Sequence, residues 1–88
     1  MQTAFTDQGW EDYSYCQAND SDTLAKINEL IKAIKRDPFK GMGKPEPLKG
    51  NLAGYWSRRI TGEHRLVYRV QGSGPDQTLR IIQARLHY

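Results

Sequence analysis

The spacing of apolar positions changes along the chain. Residues 2–6, Gln-Thr-Ala-Phe-Thr, predict a short strand. Thr6 or Asp7 then offers a helix N-cap, with Glu11 and Asp12 early in the helix, where the macrodipole favours anions. Over residues 8–18, Trp10, Tyr13 and Cys16 supply its apolar stripe. The cluster Asn19-Asp20-Ser21-Asp22 breaks this helix and caps a clearer one, in which Leu24, Ile27, Leu30, Ile31 and Ile34 keep a 3.6-residue period. Lys32, Lys35 and Arg36 lie towards its C-terminal end, and Pro38 stops it by disfavouring helix at Asp37.

Residues 37–51 read as a loop, rich in proline, glycine and lysine, and long enough to suggest a functional role. The period then falls to two. Strands are predicted over Tyr55–Ile60, His64–Gln71 and Thr78–His87, joined by turns at Thr61-Gly62-Glu63 and at Gly72–Asp76. The order β-α-α-β-β-β predicts one α+β domain over residues 1–88, with two helices packed on a curved, mainly antiparallel sheet. Alternation puts Leu66, Tyr68 and Val70 under the helices and turns Arg65, Val67 and Arg69 away. In the last strand Ile82, Ala84 and Leu86 fit the core face, and Gln83, Arg85 and His87 the opposite one. Arg65, Arg85 and His87 are therefore expected on one exposed basic face. Of the adjacent Arg58 and Arg59, one joins that face and the other turns away.

Composition sharpens this in two ways. The longest apolar run is three residues, Leu66-Val67-Tyr68, which argues against a membrane-spanning helix and a secretory segment. The lone Cys16 cannot close an intramolecular disulfide, so a reducing, cytoplasmic setting is expected. Charge is divided: residues 1–24 hold five acids and no Lys or Arg, while residues 25–88 hold all thirteen basic residues and the other five acids. A basic C-terminal two-thirds suits a polyanion, although an ordinary solvated surface has the same composition.

Candidate chemistry is limited. Two distant histidines and one cysteine make a poor metal site, and no phosphate-cradling glycine loop follows a strand. No metal and no cofactor is expected. Glu46, clamped between Pro45 and Pro47 with Lys44 and Lys49 near it, is a carboxylate expected to stay ionised, as a general base must. His87 exchanges protons near neutrality, and Arg65, carried by a strand, offers a rigid fork for phosphate. Each also has an ordinary structural explanation. Together, a carboxylate, an imidazole and a guanidinium suffice for metal-free RNA cleavage through the 2′-hydroxyl.

At these residues the sequence resembles the YoeB/Txe toxins of the RelE superfamily. The matching stretches are Lys26–Lys32, Gly43–Lys49, Tyr55–Ile60, Glu63–Tyr68 and the terminal His87-Tyr88, in the family's order. The resemblance implies a RelE-like fold and a type II toxin–antitoxin toxin, an endoribonuclease that cuts mRNA in the ribosomal A site. It implies a YefM-like antitoxin, contact with operator DNA only through that antitoxin, no membrane, and a homodimer among the assemblies open to the chain. It makes Glu46 the general base, Arg65 the transition-state stabiliser and His87 the general acid. Lys49 and Arg59 would hold phosphate, and Tyr88 would position substrate. A non-catalytic RNA- or ribosome-binding module, or a protein acting chiefly as co-repressor with its antitoxin, remains the alternative. The pattern departs at Leu86, where the family commonly has an aromatic; alternation sends Leu86 to the core, so a packing change is expected. It departs also in the longer Gly72–Gln77 loop, where ribosome contacts are in question. At Cys16 the family often has a larger aromatic, which bears on a dimer or antitoxin contact.

Overall fold

Two short polar side chains set the helical half of the molecule. The computed structural model describes residues 1–86. Strand β1 (Gln2–Phe5) ends at Thr6, whose hydroxyl oxygen accepts the Gly9 N–H at 3.1 Å and so caps α1 (Asp7–Asn19). Asp20 serves both helices. Its N–H donates to the Cys16 carbonyl at the end of α1, and its carboxylate takes the Thr23 N–H and hydroxyl at the start of α2 (Ser21–Arg36). The two Thr23 bonds favour the charged form and hold the Asp20 carboxyl below its usual 3.8.

Helix α2 packs as its period predicts. Ile27, Leu30 and Ile34 are fully buried, with Leu24 and Ile31 packed at the margin. Those three side chains contribute at most about 5–9 kcal/mol of transfer free energy, so packing rather than propensity holds this helix. Helix α1 buries Cys16 and packs Tyr13 against the core as its stripe predicts, but not Trp10. Trp10 is 53% exposed, and the inward residues are Gly9, Asp12 and Cys16. Gly9 faces in because the helix lies against β5 (Thr78–Gln83): a Cβ there would collide with the Ile81 carbonyl. Burial pushes the Cys16 thiol above its ordinary 9.0, and the Asp20 charge adds to the effect. Because Cys16 is enclosed, its side chain does not form part of the molecular surface.

The sheet has five strands in the order β1-β5-β4-β3-β2, where β2 is Glu46–Pro47, β3 is Trp56–Arg59 and β4 is Arg65–Gln71. Among the described residues, only the β1–β5 pair is parallel. Strand β2, inside the segment expected to be loop, was not anticipated. It is a two-residue edge pairing, Glu46 opposite Ser57 and Pro47 opposite Trp56. An edge position tolerates Pro47, which has no N–H to offer a further strand.

The last strand corrects the alternation argument. Opposite β4, Tyr68 pairs with Ile81 but Val67 pairs with Gln83, so Ile82 is an inserted residue. A bulge of one residue moves every following side chain to the other face. Leu79 and Ile81 therefore fill the core before it, and Ala84 after it, while Ile82 is only half-buried. The strand ends at Gln83, not His87. Leu86 is 54% exposed with a left-handed φ of 61°, so it is not the core residue that uninterrupted alternation required.

Arg58 is the other surprise. It turns inward from β3 and is fully buried. Its Nε donates to the Tyr68 hydroxyl (3.1 Å), Nη1 to the Met42 carbonyl (3.1 Å), and Nη2 to the carbonyls of Asp37 (2.7 Å) and Lys40 (3.0 Å). Tyr68 in turn donates to the Pro38 carbonyl at 2.7 Å. Arg58 and Tyr68 thus fasten the segment between α2 and β2 to the sheet. Burial holds the Tyr68 hydroxyl above its ordinary 10.0, against the opposing pull of Arg58.

Candidate active site

The sheet face turned away from the helices carries Glu46, Arg59 and Arg65. Pairing aligns Glu46, Ser57, Val67 and Gln83 in one row across four strands. Arg59 and Arg65 face each other in the next row, and Arg69 and Arg80 on the other side. The Arg69 guanidinium lies over the Tyr55 ring, 5.4 Å from its centroid. Ser57 and Val67 in the middle are almost completely covered, whereas Glu46, Arg59, Arg69 and Arg80 around them are exposed. The face is therefore a shallow trough with a small-residue floor and a charged rim. Val67 was expected to point away from the helices; it does so and is still buried.

Glu46 reaches this face because of the chain before it. Gly43 passes so close over the core that a Cβ would press into Leu30 and Arg58, and its φ of 86° is one that glycine adopts without strain. The Gly43 carbonyl accepts the Arg59 N–H at 2.7 Å, which registers the approach to β2. Lys49 is exposed just beyond β2, where its carbonyl accepts the Leu52 N–H and opens a 3-10 turn over Gly50–Leu52. Arg59 is exposed at the end of β3. Arg65 is half-buried, and its Nη1 folds back on its own hairpin turn, donating to the carbonyls of Thr61 (2.9 Å) and His64 (3.1 Å). By strand geometry, Glu46 and Arg65 stand two strands and two residues apart, about 12 Å between α-carbons, and Glu46 and Arg59 about 8 Å. Side chains of their length can reach a phosphodiester lying between them.

His87 and Tyr88 lie outside the described residues. The chain leading to them is well tied. After β5, the Ala84 N–H donates to the buried Asp12 carboxylate at 2.9 Å, and Gln83 Nε2 to the Arg85 carbonyl at 2.8 Å. The Leu86 N–H donates to His64 Nδ1 at 2.8 Å, and the Leu86 carbonyl accepts the Arg65 N–H at 3.2 Å. Leu86, the last described residue, is therefore held beside Arg65. Arg85 does not share the Arg65 face as alternation suggested. The strand ends at Gln83, and the bend that follows directs the Arg85 guanidinium over the Tyr15 ring of α1, 3.6 Å from the centroid.

Sequence reasoning missed three residues that shape this site: Asp12, Arg58 and His64. Asp12 falls with Gly9 and Cys16 at i, i+3 and i+7, a helical stripe concealed by one glycine and one acid. Arg58 had a partial signal, since alternation required one of the two adjacent arginines to point inward. His64 gave none, because its partner is a backbone N–H 22 residues away.

A family model described as "YoeB-like toxin of bacterial type II toxin-antitoxin system" matches residues 5–88. A curated Toxin YoeB of Synechocystis sp. is 59% identical over 88 residues, covering 100% of this chain and 98% of that protein. The solved "YoeB/ParE toxin from Agrobacterium tumefaciens" superposes with a TM-score of 0.96 at 58% identity, covering all of both chains. Staphylococcus aureus YoeB, solved both as a dimer and in complex with YefM, matches with a TM-score of 0.89 at 48% and 47% identity, over 100% of this chain and 98% of those chains. With the family model spanning nearly the whole chain and relatives above half identity across it, the protein belongs to the YoeB-like toxin family of bacterial type II toxin–antitoxin systems.

Proposed function

We propose that the protein is a cytoplasmic, ribosome-dependent and metal-independent endoribonuclease that cuts mRNA in the ribosomal A site and so inhibits translation. Glu46 removes the 2′-hydroxyl proton and the freed oxygen attacks the adjacent phosphorus. Arg65, helped by Arg59 and Lys49, stabilises charge on the phosphorane, and His87 protonates the departing 5′-oxygen. Tyr88 positions the substrate. The products are a 2′,3′-cyclic phosphate and a 5′-hydroxyl, and DNA, lacking the nucleophile, is not cut.

One observation carries this reading: Glu46, Arg59 and Arg65 share one sheet face, and the Leu86 carbonyl is held by the Arg65 N–H at its edge. In the apo fold the Arg65 guanidinium caps turn carbonyls, so engagement of a phosphate exchanges those neutral acceptors for a charged one. Because Staphylococcus aureus YoeB is solved with YefM and as a dimer, a YefM-like antitoxin is the proposed inhibitor and a homodimer the proposed free form. Operator DNA is reached only through the antitoxin.

The test incubates purified protein with mRNA, with and without translating ribosomes, and maps fragments and their end groups. A 2′,3′-cyclic phosphate that appears only with ribosomes is expected. RNA or ribosome binding without cleavage would instead identify a non-catalytic module built on the same arginines.

A further inference from the structure

The turn after β5 ends in an unusual way: Leu86, a non-glycine residue, has a left-handed φ of 61°. Such a conformation costs about 1 kcal/mol or more and persists only where neighbours enforce it. The neighbours here are identifiable. The Asp12 carboxylate, itself held by Gln8 Nε2 at 2.8 Å, fixes Ala84. The Gln83 amide fixes the Arg85 carbonyl, the Arg65 backbone fixes the Leu86 carbonyl, and one side chain, His64, takes the Leu86 N–H.

An amide N–H can only donate, so His64 must present the lone pair of Nδ1, and its ring proton must reside on Nε2. His64 sits at the entry to β4, next to Arg65, whose Nη1 donates to the His64 carbonyl. One residue thus contacts both the arginine and Leu86. We infer that His64 is a positioning residue: its Nδ1 locks Leu86, the last described residue, in the left-handed conformation in which its carbonyl meets the Arg65 N–H. The inference deepens the ribonuclease reading and rests on it for its catalytic consequence, but the lock itself does not depend on that reading.

Asparagine and glutamine separate this role from general packing. Asn Oδ1 stands the same number of bonds from the backbone as His Nδ1, whereas Gln Oε1 is one bond further out. His64→Asn should therefore keep the Leu86 bond, while His64→Gln and His64→Ala should lose it. Three readouts apply to each variant of the full chain: hydrogen exchange at the Leu86 amide, single-turnover mRNA cleavage on ribosomes, and the unfolding midpoint. Exchange at Leu86 should speed up about tenfold or more in the Gln and Ala variants and stay near wild type in the Asn variant. Cleavage should follow the same order, falling roughly ten- to hundredfold in the first two, because small displacements of reacting groups are costly. Nitrogen-15 spectra of the wild-type protein should show His64 as the Nε2–H tautomer, a reading that needs no variant to fold.

Unchanged Leu86 exchange in all three variants, or an Nδ1–H tautomer in the wild type, overturns the lock. Faster exchange with undiminished cleavage overturns its positioning role. Absence of cleavage by the wild type would count against the ribonuclease reading instead, while exchange and tautomer still decide whether the lock exists.

Discussion

Replacing Arg58 by methionine tests the internal wiring of the fold most directly. Methionine keeps much of the apolar stem and removes all four donated bonds, those to Tyr68 and to the carbonyls of Asp37, Lys40 and Met42. The Tyr68 hydroxyl retains its bond to Pro38, so the principal loss falls on three carbonyls. A buried acceptor without a partner costs about 1–3 kcal/mol, and these carbonyls are only partly buried, so the lower end applies to each. The penalty for enclosing a cation disappears with the guanidinium, which keeps the total near about 3 kcal/mol. An 88-residue domain has roughly 4–13 kcal/mol of stability in all. The unfolding midpoint should therefore fall by about 10–25 °C. Urea titration followed by tryptophan fluorescence measures the change, since Trp56 packs against Phe39 in the same segment at 4.8 Å. Arg58→Lys keeps the charge but not the fork, and should fall between. Arg59→Met, at the exposed neighbour, should stay within about 0.5 kcal/mol of wild type. If Arg58→Met were equally mild, the reasoning about an enclosed guanidinium would be refuted.

Glu46→Ala, Arg65→Ala and His87→Ala should each lower single-turnover cleavage by at least about tenfold, and wild-type rates for Glu46→Ala and His87→Ala would remove the acid–base assignment. Chelator should leave cleavage unchanged; strong inhibition would reveal a required metal. Tyr68, with its folded pKa above the ordinary 10.0, contributes stability that is complete below that value and is lost as pH rises through the folded one. Absorbance of tyrosinate should accordingly show one of the five tyrosines ionising late, together with alkaline unfolding. Gly9→Ala should destabilise the protein markedly despite its helical position, because the new methyl group meets the Ile81 carbonyl; equal or higher thermal stability would mean that α1 does not lie where the structure has it.

Most of the helical half was legible from residue order. The caps at Thr6 and Asp20, the stop at Pro38 and the stripe Ile27, Leu30, Ile34 are local features with local causes. So too was Arg65, which alternation along one strand set opposite Leu66. Legibility failed where one residue altered the count. The inserted Ile82 put Leu79 and Ile81 on the core face, out of phase with Ala84, which is buried as alternation required, and the end of the strand at Gln83 let Arg85 and Leu86 leave the faces assigned to them. In α1 the stripe held at Tyr13 and Cys16 and failed at Trp10, because the helix turns Gly9 and Asp12 inward instead.

By itself the sequence determined the family, the order of every element but the short β2, and the candidate trio Glu46, Arg65 and His87, because caps, periods and motifs act over a few residues. Tertiary structure alone decided that Glu46 pairs beside Ser57, that Arg58 closes the interior, and that His64 grips Leu86. Those arrangements depend on hydrogen bonds between segments distant along the chain. A carbonyl or an N–H is present at almost every residue, so nothing in its own letter reveals which partner the fold will bring to it.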